Sequence, residues 1–281
     1  MDADGRAGAK PHRPRVLVRG GGDIATAVAQ RLHGAGWAVL VVEDPVPRVV
    51  RLRMAFAAAV LDGEAVVEGR RAVRVESVQE AEAVLARSMD IPVLADPAGA
   101  ALGTWCPDVL VDARLRKREL PDTRVSDAPL VVGLGPGFTA GVNCHVAVET
   151  NRGPSLGRIL WEGSTDPYTG QPEVIEGHGR ERYLYAPVAG RFETAREIGD
   201  LVQAGEIVGR VGDAPLVAMV SGIIRGIAPS GQPVPEGRKL VEIDPRRDPA
   251  RLSALSAKAW TIADSVERLL APRRSPGGRS P

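Results

Sequence analysis

The chain has 281 residues, 44% hydrophobic and 25% charged, which excludes a miniature scaffold and wholesale disorder and leaves room for one large domain or two modest ones. Its 36 Lys and Arg against 35 Asp and Glu leave a net charge of +1. There is thus no global basic field for nucleic acid or an anionic membrane, and any anion site must be local.

Two cysteines, Cys106 and Cys144, are too few for a disulfide framework or a four-thiolate zinc site, and no metal-ligand spacing of His and Cys is visible. The chain starts with the polar run MDADGRAGAKPHR. Its longest apolar run, residues 54–61, is far short of the about 20 residues a membrane span needs. A cytoplasmic protein is expected.

In chain order, residues 1–14 and 272–281 are rich in Pro, Gly and Arg and read as loose tails. Residues 15–156 read as α/β. An apolar run at 16–18, a glycine turn, a helical pattern over 24–33 and a second run at 38–42 make one βαβ unit. A short helix around 48–61, a hairpin of 65–68 and 72–75, and a helix over 79–87 follow. Short apolar runs at 92–95, 109–111 and 130–132 read as buried strands of a parallel sheet. Residues 157–182 form a Gly- and Pro-rich connection.

Residues 183–248 carry an internal repeat offset by 32: Gly190, Gly199 and Gly205 align with Gly222, Gly231 and Gly237. Each half is too small to bury its own apolar face, so the two should pair as an all-β unit. The pattern resembles the barrel-sandwich hybrid of biotinyl and lipoyl carrier domains. The hairpin at 212–217 has no lysine, so no covalent biotin or lipoate is expected. Over 250–271, Leu252, Leu255, Ala259, Ile262, Val266 and Leu269 form one apolar stripe of a terminal helix. Docking on its own domain is the ordinary fate of such a stripe, with a homodimer seam the sharper alternative.

Gly20-Gly21-Gly22-Asp23-Ile24-Ala25 follows a strand and opens a helix, the context of the dinucleotide fingerprint, and Glu43 ends the next strand. In that reading Gly20 permits the turn, Gly22 lets a pyrophosphate approach, Ala25 keeps helix and strand close, and Glu43 takes the ribose hydroxyls. Asp23 sits beside the expected phosphate and repels it. A tight βα turn without nucleotide is the competing account.

A second loop, Gly133 to Gly141 with Gly135 and Gly137, also follows a strand, so the two loops are expected to face one cleft. Asp96, Asp112, Arg114, Arg116 and Lys117 lie between them. Cys144 beside His145, and Cys106 between Trp105 and Pro107, are candidate thiols for sulfur or selenium. Cys144 is the preferred one, being next to the glycine loop. A buried, inert thiol is the commoner state of a free cysteine.

The runs VLVRGGGDIATAVAQRLHGAGWAVLVVE, VLADP, DVLVDARLRK, VVGLGPGFTAGVNCHVAVETNRG and WEGSTDPYTGQP resemble the YqeB family of selenium-dependent molybdenum hydroxylase accessory proteins. The resemblance implies a maturation role, with a molybdenum hydroxylase client or other maturation factors as partners. The expected architecture is a Rossmann-like parallel sheet followed by a barrel-sandwich hybrid. The expected small-molecule ligand is nucleotide-bearing, with the dinucleotide form of the molybdenum cofactor as the candidate the resemblance supplies. A NAD(P)-dependent oxidoreductase and a non-catalytic scaffold docking a client enzyme are the alternatives, and no His, Lys or Tyr stands out as the acid or base the former needs.

Overall fold

The computed structural model describes residues 13–116 and 119–271. Apart from residues 13 and 14, the two expected tails lie outside the described residues, as does Lys117. The large sheet begins with β1 (Arg15–Arg19), α1 (Asp23–Gly34) and β2 (Ala38–Glu43). Val16, Leu17 and Val18 are buried on both faces because β1 lies in parallel between β2 and β6 (Val109–Asp112), which is why its sequence runs apolar without alternation.

Next come α2 (Ala58–Asp62), β3 (Glu64–Val67), β4 (Arg70–Val75), α3 (Val78–Arg87), β5 (Ile91–Ala95) and α4 (Ala101–Trp105). Beyond β6 lie β7 (Leu130–Leu134), β8 (Thr139–Ala140), β9 (Val146–Val148), β10 (Ile159–Leu160) and β11 (Gly163–Ser164). The sheet order is β10-β9-β7-β6-β1-β2-β5-β4-β3, with β8 and β11 paired separately.

The all-β part contains β12 (Tyr183–Tyr185), β13 (Gly190–Glu193), β14 (Leu201–Val202) and β15 (Ile207–Val211). Its second half contains β16 (Ala214–Val217), β17 (Gly222–Ile227), β18 (Pro233–Val234) and β19 (Lys239–Asp244). The 32-residue offset carries each strand of the first half onto its counterpart in the second. The sheets, β12-β19-β17-β14 and β16-β15-β13-β18, therefore exchange under it. The paired turn glycines Gly199 and Gly231, and Gly205 and Gly237, all have positive φ.

The expected fold class is corrected on two counts. The large sheet is mixed rather than parallel: β3 and β10 run antiparallel to β4 and β9 at its two edges. The β3–β4 reversal is made by Glu68 and Gly69, both at positive φ (48° and 77°), as a two-residue hairpin turn demands. The all-β part is two four-stranded antiparallel sheets, and it is not a self-contained carrier module. Its core takes in Val50 from the segment before α2 and Leu252 from beyond β19, with Leu52 packed against it.

The terminal stripe is also divided. Leu252 packs in the β core, whereas Leu255, Ala259, Ile262 and Val266 pack in the core of the large sheet with Ala27, Val28 and Leu32 of α1. The helix itself, α5 (Ala257–Leu270), starts later than the stripe because Ser256 caps it, its Oγ accepting the Ala259 N–H at 3.2 Å. Arg31 joins α1 to α5 through Asp264 at 2.6 Å and lies 4.8 Å over the Trp260 ring. The stripe is thus covered within the chain. No helix among the described residues is long and apolar enough to cross a membrane.

Candidate functional site

The carboxyl end of β1 lies between those of β2 on one side and β6 on the other. The Gly20–Asp23 turn lies there. Gly20 has φ 99°, and a Cβ on it would lie 3.1 Å from the Arg114 Cα. A Cβ on Gly21 would lie 2.7 Å from the Ala57 nitrogen, whose N–H donates to the Gly21 carbonyl at 2.9 Å. These two glycines admit neighbouring backbone. Gly22 differs: its φ is −68°, and a Cβ there would meet only a Val49 methyl, at an ordinary 3.5 Å. Ala25 is buried between helix and sheet as the fingerprint requires.

Glu43, at the end of β2, points back into the turn. Its Oε2 accepts the Gly21 N–H at 2.7 Å and its Oε1 accepts the Asp44 N–H at 2.8 Å. Burial raises its pKa above the usual carboxylate range, against the lowering effect of those two hydrogen bonds. Asp23 caps its own turn through Ile24 N–H at 3.0 Å and takes a hydrogen bond from Arg51 at 3.1 Å.

On the β6 side of the turn, Arg114 binds the buried Asp112 at 2.5 Å and also pairs with Asp122. Asp122 is held down at about 2, first by its hydrogen bond from Arg114, against the opposing effect of its burial. Thr123 bridges the group, donating to Asp112 and accepting from Arg19 at 2.8 Å. Arg116 pairs with Asp122 at 3.1 Å. Asp96 accepts the N–H groups of Ala100 and Ala101, both at 2.9 Å, and so caps α4.

The two glycine loops do not share an open cleft. The segment from Ala113 to Leu115 runs between them, with Arg114 against Gly20 and Leu115 against Gly135. The second loop is explained by packing. A Cβ on Gly133 would lie 2.2 Å from the Phe138 ring, one on Gly135 2.4 Å from the Thr150 hydroxyl, and one on Gly137 2.9 Å from Pro121.

The thiols are ordered opposite to expectation. Strand-like alternation turns Cys144 inward, fully buried, and leaves His145 exposed, where its Nδ1 accepts the Val131 N–H at 3.0 Å. Burial pushes the Cys144 thiol up to about 11, which leaves little thiolate at neutral pH. Cys106 ends α4 at φ 48° with its thiol exposed, donating to the Gly103 carbonyl at 3.2 Å. A thiol reagent at pH 7 is therefore expected to label Cys106 and spare Cys144. Peptide mapping that found Cys144 labelled first would contradict this placement.

One residue of the site gives no local signal in the sequence. Arg51 reaches Glu242 on β19 with two hydrogen bonds, at 2.8 and 2.6 Å, while its remaining nitrogen holds Asp23. Burial alone would raise the Glu242 carboxyl, but the charge of Arg51 beside it outweighs that and holds it far below the usual range. A separate cavity of about 460 Å³ lies on the β part, between β12 and β16, lined by Tyr183, Tyr185, Pro187, Leu216 and Met219 among others.

No family model matches the chain. Of the curated proteins, YqeB of Escherichia coli (strain K12), described as uncharacterized, is 41% identical over 261 residues, which is 92% of this chain and 48% of that protein. The chain spans about half the length of this relative.

The solved structures that are similar to this chain include three of related description. Product-bound EutE (DoeB) from Ruegeria pomeroyi, an ectoine utilization protein, is 13% identical, with 83% of this chain and 85% of that one covered and a TM-score of 0.25. A succinylglutamate desuccinylase/aspartoacylase from Rhodobacter sphaeroides is 15% identical over 82% and 85%, with a TM-score of 0.23. An aspartoacylase family protein from Mesorhizobium loti is 14% identical over 83% and 85%, with a TM-score of 0.25. TM-scores this low support no transfer of chemistry.

Proposed function

We propose that this YqeB relative binds a nucleotide-bearing ligand with its pyrophosphate against the Gly20–Asp23 turn. The observation that carries the reading is Gly22. Internal packing accounts for Gly20 and Gly21, whereas no contact among the described residues requires a glycine at Gly22, at the N-terminus of α1. A missing side chain at a helix N-terminus lets an anion approach free N–H donors. Glu43 fits a modified role: its oxygens already take two backbone N–H groups, so it stiffens the turn and offers only its remaining lone pairs to a ribose.

The residues fit the phosphate part of a dinucleotide, and the family resemblance supports the molybdenum cofactor dinucleotide as the ligand and molybdenum hydroxylase maturation as the setting. When bound, that group supplies the redox chemistry of its client, while the residues of this chain bind and orient its phosphates. Gly22 admits them and α1 donates to them. The protein purified under mild conditions should release a nucleotide-bearing species on denaturation, identifiable by mass and absorbance. Recovery of NAD(P) would shift the reading to an oxidoreductase. Recovery of no such species, together with no binding of added dinucleotides, would leave the scaffold reading.

A further inference from the structure

The obstacle to an anion at this turn is Asp23, whose charge lies where phosphate oxygens approach. The structure places a cation against it, on the segment before α2 whose Val50 enters the core of the β part. Val50, immediately before Arg51, is 2% exposed and belongs to the β core; its carbonyl accepts the Ile227 N–H at 2.9 Å, and a Cβ on Gly226 would lie 2.9 Å from that carbonyl. Arg51 is therefore anchored in the β part while its guanidinium reaches the glycine turn. Positive charge is in excess around it. Arg51, Lys239 and Arg182 converge on the one buried carboxylate of Glu242, at 2.6, 3.3 and 3.8 Å. Arg225, 8% exposed, shares the buried Asp244 with Arg246, at 3.7 and 2.5 Å, and its own Nε has no hydrogen-bond partner among the described residues; with Asp23, three carboxylates thus face five cations. An orphaned guanidinium nitrogen in an over-positive cluster is an unmet demand for an anion.

We propose that Arg51, held by Glu242, is the phosphate-neutralising residue of the site: it shares its outer nitrogen between Asp23 and the ligand, so that the β part completes a site whose backbone belongs to the large sheet. This rests on the nucleotide reading of the turn. It assigns Glu242 as a positioning residue, since Glu242 acts through Arg51. It also assigns Asp23 as a competitor that the ligand must partly displace, which sets the affinity for charged phosphate.

Titration calorimetry with inorganic pyrophosphate as the probe tests it, on the full chain and two variants. Arg51→Gln is expected to weaken binding roughly tenfold or more and to flatten its dependence on salt. Asp23→Asn keeps a residue suited to a helix start, frees the outer nitrogen of Arg51 and removes the repulsion, so it is expected to bind several-fold more tightly. In the double variant that gain should vanish, which a stability change would not produce. If the parent binds no pyrophosphate, the nucleotide reading falls and this inference with it. If the parent binds while Arg51→Gln binds equally well, or Asp23→Asn shows no gain, the inference alone is overturned.

Discussion

Glu242→Ala is expected to destabilise the protein by about 3–5 kcal/mol, the scale found when one partner of a buried ion pair is removed. The Glu242 side chain is fully buried and is the common partner of Arg51, Arg182 and Lys239. Removing it takes the shared carboxylate from three cations: Arg51 keeps only Asp23, and Arg182, 1% exposed, cannot regain solvent without unfolding its surroundings. The same carboxylate makes stability depend on pH. Its folded value lies below the unfolded one of about 4.3, so the unfolded chain binds the proton first on acidification. The stabilisation is present above that unfolded value and is lost as pH falls through the folded one. Urea unfolding of the parent should weaken steeply below about pH 4.3, and Glu242→Gln should remove part of that slope. A loss under 1 kcal/mol for Glu242→Ala at pH 7 would show that the cluster does not tie the two parts of the molecule together.

The elements that could be read from sequence are those whose signal is local. Val16 to Val18, the glycine turn and the stripe of α1 lie within twenty residues of one another, and their periods give β1, α1 and β2 directly. The 32-residue repeat is equally legible, because two of its aligned glycine pairs, Gly199 with Gly231 and Gly205 with Gly237, serve turns at positive φ in both halves. What escaped is whatever depends on distant pairing. Arg51 and Glu242 are 191 residues apart, and neither sits in a motif. The entry of Val50 and Leu252 into the β core, which removes the independence expected of a carrier module, has no periodic trace. Nor does the split of the terminal stripe between two cores: Leu252 and Leu255 are three residues apart yet face different layers.

The glycine loop at Gly133 differs from its expected role for a related reason. A glycine that admits a ligand and one that admits Phe138 look identical in sequence, and only the atom that would meet the added Cβ separates them. The thiols were misordered because exposure, not neighbouring residues, decides reactivity: Trp105 beside Cys106 is buried while the cysteine itself faces solvent.

That distinction also gives the second large effect, on binding. Gly22→Val places methyl groups where a pyrophosphate would approach the start of α1. At φ −68° the residue is in a region open to any L side chain, and among the described residues the one neighbour that its Cβ would meet within 4 Å is Val49. The fold should lose no more than about 1 kcal/mol, the range of an N-cap substitution. Gly133→Val serves as the contrast, since its Cβ would overlap the Phe138 ring and it should unfold the loop. The most direct measurement is an equilibrium titration of the parent and Gly22→Val with the dinucleotide recovered from the protein, alongside thermal melting of both without ligand. The account predicts nearly equal melting and binding abolished in the variant; a Gly22→Val protein that binds the dinucleotide as tightly as the parent would contradict it.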